Sequence, residues 1–240
     1  MTDFSKSQWA KAEFTREYRE SADVYVVERA RLFEIVKSFY RCFLSGKTGN
    51  NVLDLGCGDG IVTHELLSID DSIAATLVDA SEDMLNKAAE RLRGFGGIHF
   101  LKASFQDILN EKTAFQNFDL VISSLAIHHL PMKEKKALFG TIYSHLNVSG
   151  YFLNIDVVLP PTENLEHWYL SLWREWISER KMIMGIESNS YNDVIQRYKD
   201  NKDNRPDTLD KQLSALRSLG FRDVDCYYKY GIFTMFGGRK

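Results

Sequence analysis

The stretch Val52-Leu53-Asp54-Leu55-Gly56-Cys57-Gly58-Asp59-Gly60 constrains this chain more than any other. Val52, Leu53 and Leu55 make a short apolar run that reads as a buried parallel strand. Gly56, Gly58 and Gly60 then alternate through a turn where a Cβ would obstruct the close approach of a ligand. Ile61 to Leu67 resumes as a helix. A strand, a glycine turn and a helix N-terminus together form a corner that cradles a nucleotide.

Charge narrows the choice of nucleotide. A dinucleotide fingerprint reads G-x-G-x-x-G and places a pyrophosphate on the helix N-terminus. Here the spacing is G-x-G-x-G, and Ile61 and Val62 stand where a later glycine is needed. Asp54 and Asp59 bracket the loop, and two carboxylates repel a pyrophosphate at close range. They suit a ligand that carries an ammonium and a sulfonium. Asp79 ends the next apolar segment, Ile73 to Val78, where an acidic residue grips both hydroxyls of a ribose. S-adenosyl-L-methionine has the ribose, the ammonium and the sulfonium, and no phosphate, so it fits better than NAD.

From about Asn51 to Val158, and again over the last thirty or so residues, the chain resembles a class I S-adenosylmethionine-dependent methyltransferase. Asp54 to Gly60 resembles the first motif of that family, and Val78-Asp79-Ala80-Ser81 with Met84-Leu85 its acidic loop. Lys102 to Ile108 occupies the adenine-loop position. Phe118 to Leu130, ending Ile127-His128-His129-Leu130, resembles the fourth-strand segment, and Leu146 to Phe152 the turn into the fifth strand.

The rest of the chain agrees with an α/β fold. Strands are expected near 51–55, 73–78, 98–101, 118–123 and 150–156, and helices near 60–68, 81–92 and 133–146. This alternation implies a parallel sheet with helices on both faces. The resemblance implies a Rossmann-like, seven-stranded, mostly parallel sheet with an antiparallel last strand, the closing hairpin being Val224 to Tyr230 and Ile232 to Phe236. Residues 1–240 read as a single domain, with 1–48 as an N-terminal helical cover and 159–206 as a helical insertion over the active site. Further helices are expected near 188–200 and over Thr208 to Leu219. A formal net charge of −3 gives no overall footprint for nucleic acid or an anionic membrane. Cys42, Cys57 and Cys226 form no metal or disulfide pattern, so no metal site is expected. A polar N-terminus and the lack of a long apolar run lead to the expectation of a cytoplasmic protein that spans no membrane.

The resemblance assigns roles to particular residues. Gly56 and the Cys57-Gly58 backbone line the methionine part of the cofactor, and Asp54 orients its ammonium. Cys57 itself reads as a packing residue. Asp79, with Ala80 beside it, binds the ribose, and Met84 packs on adenine. Ser104-Phe105 stands where many relatives carry an acidic-then-apolar pair: the Ser104 hydroxyl would accept from the adenine amino group and the Phe105 amide would donate to the ring, with Asp107 as the rival acceptor. Ser123-Ser124 ends the fourth strand, where a backbone carbonyl meets the cofactor ammonium. Tyr18 and Tyr25 lie in the cover that closes over the cofactor; Tyr25 is the site candidate, and simple packing is the competing role. His128 and His129 are the candidate general bases, because imidazole takes a proton near neutral pH, although a structural role competes.

The expected reaction is methyl transfer to a small-molecule acceptor, leaving S-adenosyl-L-homocysteine. Leu165, Trp168, Tyr169, Leu172, Trp173, Trp176 and Ile177 are expected on one helix face, as core, as a homodimer contact or as a cage for a cationic acceptor. Residues 159–206 are expected to select the acceptor. The tail, Leu219-Gly220-Phe221 and then an aromatic hairpin, resembles tRNA wobble-uridine carboxymethyl transferases. That alternative makes tRNA the partner and needs an arginine, Arg197 or Arg205, for a carboxylated cofactor. A non-catalytic cofactor-binding partner subunit is the remaining alternative.

Overall fold

A computed structural model describes residue 4 and residues 7–110, 115–187 and 191–240. In chain order the elements are α1 (Ala12–Tyr25), α2 (Arg29–Phe43), β1 (Asn51–Leu55), α3 (Ile61–Leu67), β2 (Ala74–Asp79), α4 (Glu82–Arg91), β3 (Ile98–Lys102), α5 (Phe105–Leu109), β4 (Phe118–Ser124), α6 (Met132–His145), β5 (Leu146–Val157), α7 (Glu163–Ile183), α8 (Val194–Asp200), α9 (Leu209–Ser218), β6 (Arg222–Tyr230) and β7 (Phe233–Arg239). The strands form one seven-stranded sheet in the order β3-β2-β1-β4-β5-β7-β6. Only β7 runs antiparallel to its neighbours, β5 and β6. Among the described residues no helix is long and apolar enough to cross a membrane.

Successive strand side chains point to opposite faces, and this sorts the central strands into two cores. Val52 with Leu77, Leu120 and Ile122 packs under α2, α3 and α4 through Val36, Leu66 and Ala88. Leu53 and Leu55, one position out of phase, pack with Val121 against α6 and α9 through Leu138, Phe139 and Leu216. Both faces are therefore covered, as the alternation implied. The strand order reverses at β1, so the crevice between the carboxyl ends of β1 and β4 is the topological switch point where open α/β sheets bind ligands.

Several boundaries differ from the sequence reading: in the closing hairpin β6 starts at Arg222 and β7 runs on to Arg239. β5 begins at Leu146, four residues before Gly150, with a register irregularity against β4 between Phe118 and Leu120. The short helix α5 falls on the adenine-loop segment. Five residues are too few to show a helical period, and its signal was the capping box instead: Ser104 Oγ accepts from Asp107 N while an Asp107 carboxylate oxygen accepts from Ser104 N. The helix expected near 188–200 is α8, and residues 188–190 lie outside the described residues.

A third core joins α1, α7 and α8 to the strand ends through Ala22, Val24, Trp173, Ile177, Val194 and Phe233. Trp173 and Ile177 are buried there, whereas Trp168 is 56% exposed. Five positions separate Trp168 from Trp173, roughly 140° around a helix, so the two cannot share a narrow buried stripe. The insertion thus braces the cover: the Trp173 indole N–H donates to the Tyr25 carbonyl at 2.7 Å, and Arg197 pairs with Glu17 of α1 at 2.7 Å. At its other side α1 is held to α4, where Thr15 and Arg19 both donate to Asp83, at 2.8 and 3.0 Å.

Candidate active site

The glycine turn is built as its sequence demands. Gly56, Gly58 and Gly60 all adopt positive φ, at 67°, 53° and 73°. The backbone N–H groups of Gly56 and Cys57 both donate to the Val78 carbonyl, at 2.8 and 3.0 Å, and so lock the turn to the end of β2. A Cβ at Gly56 would stand 2.4 Å from the Ala126 Cβ, whereas one at Gly58 would meet nothing within 4 Å. Gly56 is therefore a packing requirement. Gly58 instead fronts open space in the cleft that its turn lines.

Three carboxyl groups surround this turn. Asp79 closes β2 and lines the cleft; its oxygens accept from the backbone N–H of Gly58 at 2.9 Å and of Ser81 at 2.8 Å. These two bonds fix the carboxylate and leave further lone pairs for a ligand. Burial raises its pKa against the pull of those N–H groups. Asp54, behind the turn, is 1% exposed. One of its oxygens accepts from the Thr63 hydroxyl at 2.7 Å, and Oδ1 has no partner. Burial, helped by repulsion from Asp79 and Asp59 and opposed by the Thr63 hydroxyl, pushes its pKa up to about 7. Asp59 is neutralised by Arg91 at 2.5 Å. Asp54 lies outside the cleft wall itself, but a buried carboxyl with an unpartnered oxygen directly behind the turn favours a cationic ligand against that turn and disfavours phosphate.

Beyond Asp79 the wall becomes apolar. Ala80, Met84 and Phe105 line it, with Met84 3% exposed. Ser104 also lines it, but its hydroxyl is engaged in the α5 cap, donating to Asp107 Oδ2 at 2.7 Å. Cys57 lines the cleft too, and burial holds its thiol well above the ordinary range, which makes it unreactive.

The far end of the cleft gathers Trp9, Tyr18, His129 and Asp203. The Trp9 ring packs edge-on to Tyr18 and to His129, with centroids 4.9 and 5.7 Å apart. Burial pushes the Tyr18 phenol up to about 12. His129 Nδ1 lies 3.1 Å from the Asp203 carbonyl, which can only accept, so Nδ1 carries the proton. Nε2 is then a lone pair, and it is buried with no partner. Burial and the neighbouring His128 hold this imidazole well below its ordinary pKa and keep it neutral. The segment that carries Asp203 is clamped from beneath. Lys135, 0% exposed, donates to the Arg205 carbonyl at 2.6 Å and to Asp207 at 2.7 Å, and the Arg205 N–H donates to the His128 carbonyl at 2.9 Å.

The cleft wall thus brings together Gly56, Cys57, Gly58, Asp79, Ala80, Met84, Ser104, Phe105 and His129. Other expected site residues lie behind it. Ser123 is buried and its hydroxyl donates to the Leu55 carbonyl at 2.6 Å; Ser124 takes its place in the wall. Tyr25 packs into the third core, and Tyr18, about two turns earlier on α1, reaches the cleft. His128 points away to Asp156, Nδ1 to Oδ1 2.6 Å, and holds the end of β5. From the insertion, Asp203 lines the cleft, while Trp173 and Trp176 sit in the third core and Arg197 is held by Glu17 and Asp193. Arg205 is likewise outside the wall, where the guanidinium present is that of Arg29, paired with Asp23 at 2.7 Å. Sequence reasoning missed Trp9 and Asp203. Neither lies in a periodic pattern or a motif, and only the fold brings them together.

A family model described as a methyltransferase domain matches residues 47–208. The chain is 30% identical over 148 residues to a phosphoethanolamine N-methyltransferase of Plasmodium falciparum, a match covering 61% of this chain and 52% of that protein. It is 23% identical over 185 residues to a carboxy-S-adenosyl-L-methionine synthase of Pseudoalteromonas translucida, covering 76% and 73%. Among solved structures, an O-methyltransferase family protein from Burkholderia thailandensis superposes with a TM-score of 0.66 at 15% identity, over 98% of this chain and 62% of that one. At such identity the superposition shows the shared fold. The chain spans about half the length of the first relative and under two thirds of the solved structure.

Proposed function

The chain belongs to the methyltransferase domain family, and we propose that it binds S-adenosyl-L-methionine along the glycine turn and methylates a small-molecule acceptor held at the Trp9–Tyr18–His129 end of the cleft. The observation that carries this reading is the vacant, buried Asp54 Oδ1 behind a turn whose Gly58 fronts open space, with Asp79 fixed at the next strand end. These features fit the cofactor's ammonium, its methionine chain and its ribose in turn. When bound, the cofactor supplies a methyl already activated on a sulfonium.

The chain's own groups then have mostly positioning work. Asp79 accepts from the ribose hydroxyls with the lone pairs that Gly58 and Ser81 leave free. Asp54 accepts an ammonium proton. Met84 and Phe105 offer apolar surface to adenine. The cover α1, held by Asp83 and by α7, excludes water. His129 Nε2, neutral and unpartnered, accepts the proton that the acceptor atom gives up. A methyl donor is favoured over a carboxylated cofactor because Arg197 and Arg205 stand outside the cleft wall and Arg29 is already paired. A small acceptor is favoured over tRNA because the walls are aromatic and acidic. Strongly salt-dependent tRNA binding would reverse that preference.

Asp79→Ala removes charged hydrogen bonds worth about 1.5–3 kcal/mol each, so affinity for S-adenosylmethionine or S-adenosylhomocysteine is expected to fall tenfold or more. Calorimetry on a folded variant with unchanged affinity would refute the cofactor assignment. With an acceptor identified by labelled methyl transfer to cell metabolites, His129→Asn is expected to lower turnover by about 10²–10⁴-fold at unchanged cofactor affinity. His128→Asn is expected to act mainly on stability, since that ring holds Asp156 outside the cleft wall. A loss below tenfold for His129→Asn would leave positioning alone as the mechanism.

A further inference from the structure

The acceptor end of the cleft has a particular charge and a particular lining. Among the described residues, the carboxylate and guanidinium side chains that line the cleft are Asp59, Asp79, Asp203 and Arg29. Asp59 is paired with Arg91 and Arg29 with Asp23, while Asp79 belongs to the glycine turn. The acceptor end is left with Asp203. Its Oδ2 accepts from the Ser7 hydroxyl at 3.1 Å, and Ser7 Oγ in turn accepts from the Trp9 N–H at 3.2 Å, so one hydroxyl ties the carboxylate to the Trp9 backbone. Among the described residues no lysine or arginine pairs with Asp203. The Trp9 and Tyr18 rings, packed edge-on with centroids 4.9 Å apart, supply an aromatic wall, and His129 supplies a buried lone pair without a partner among the described residues. Aromatic faces and a carboxylate attract a cation, and an unpaired imidazole nitrogen can accept an N–H or O–H from the ligand. A phosphate or carboxylate acceptor would meet Asp203 with no unpaired lysine or arginine in the cleft wall, among the described residues, to offset it.

We propose that the acceptor is an amine, bound as its ammonium between the Trp9 and Tyr18 rings and the Asp203 carboxylate, and methylated on nitrogen. This rests on the methyl-transfer reading above. The ammonium loses one proton to solvent, and the neutral amine then donates an N–H to the unpartnered His129 Nε2. The freed nitrogen lone pair forms the new N–C bond as the C–S bond breaks, and that bond's electrons remain on sulfur as a thioether. The positive charge moves from sulfur to nitrogen, and the alkylammonium formed stays next to Asp203 and the rings. An oxygen acceptor would end as a neutral ether and gain nothing from the carboxylate.

Three probes of matched size separate these classes: 2-phenylethylamine, 2-phenylethanol and 3-phenylpropanoate, titrated by calorimetry into protein saturated with S-adenosylhomocysteine. The amine is expected to bind at least about tenfold tighter than the alcohol, and the carboxylate more weakly still, since a charge-assisted contact and a desolvated cation–π contact each contribute about that much. Asp203→Asn is expected to remove most of that preference while leaving the alcohol's affinity unchanged. Trp9→Leu is expected to weaken the amine as well. Equal binding of the three probes, no binding of the amine, or a full amine preference in Asp203→Asn would each overturn the proposal. S-adenosylhomocysteine binding is measured first on the same sample. Its absence would refute the cofactor reading itself, whereas its presence without an amine preference refutes only the choice of acceptor.

Discussion

Gly58→Val is expected to fold and to lose detectable affinity for S-adenosylmethionine, a fall of a hundredfold or more. At Gly58 a Cβ meets no protein atom within 4 Å, so the added isopropyl group has nowhere to go but the cleft. There it stands beside Asp79, whose Oδ2 accepts from the Gly58 N–H. The substitution also places a β-branched residue at φ 53°, which costs about 1–3 kcal/mol of stability. Gly58→Ala bears a similar backbone cost with less bulk, so it separates strain from obstruction: it is expected to melt like Gly58→Val yet keep measurable binding. Gly56→Val is expected to behave in the opposite way and lose stability first, because its Cβ would stand 2.4 Å from that of Ala126. Calorimetric binding by Gly58→Val within threefold of the parent would show that the ligand does not lie against this turn.

Asp54→Asn is expected to raise stability at pH 8 and leave it nearly unchanged below about pH 4. Folding raises the Asp54 pKa to about 7, from the roughly 3.9 of an unfolded chain. Between these values the native state holds a proton that the unfolded state has released. Stability from this group is therefore fully present below about pH 4, falls as pH rises towards 7, and stays low above it. The loss is on the order of 2–4 kcal/mol, which corresponds to about 5–10 °C in Tm for a chain of this size. Asparagine carries no charge at either pH and escapes that loss. Cofactor binding should run the other way. An ammonium next to Asp54 favours the carboxylate, so the parent's affinity is expected to fall by up to about tenfold per pH unit below 7, with proton release on binding. Asp54→Asn is expected to bind more weakly and with a flatter pH profile. Identical pH dependence of melting in the parent and Asp54→Asn would remove Asp54 as the titrating group.

The contrast between Asp79 and Asp203 shows how much of the site was legible. Asp79 was found because it ends an apolar strand at a set distance from a glycine turn, and both features belong to short, contiguous segments. Asp203 lies in a polar segment and reaches the cleft because Lys135 and the His128 carbonyl hold its neighbour Arg205. Ser7, whose hydroxyl donates to Asp203, is 196 residues away in the chain. No spacing rule connects two such positions. Tyr18 and Tyr25 illustrate the same limit on a smaller scale. Both are aromatic residues on one helix, and which of them meets the cleft depends on how α7 packs against the helix, through the Trp173 bond to the Tyr25 carbonyl.

The parallel sheet, the glycine turn, the family and the acidic residue Asp79 at the end of β2 could be read from the chain alone, because these depend on residues close together in sequence and on hydrophobic periodicity. The tertiary structure alone decided that His129 faces the cleft while His128 turns to Asp156, and that the insertion contributes Asp203 in place of its tryptophans. Adjacent residues in a tight turn project in different directions, and a helix face is chosen by what covers it. The Trp9–Tyr18–His129 end of the cleft is therefore set by packing between segments distant in sequence.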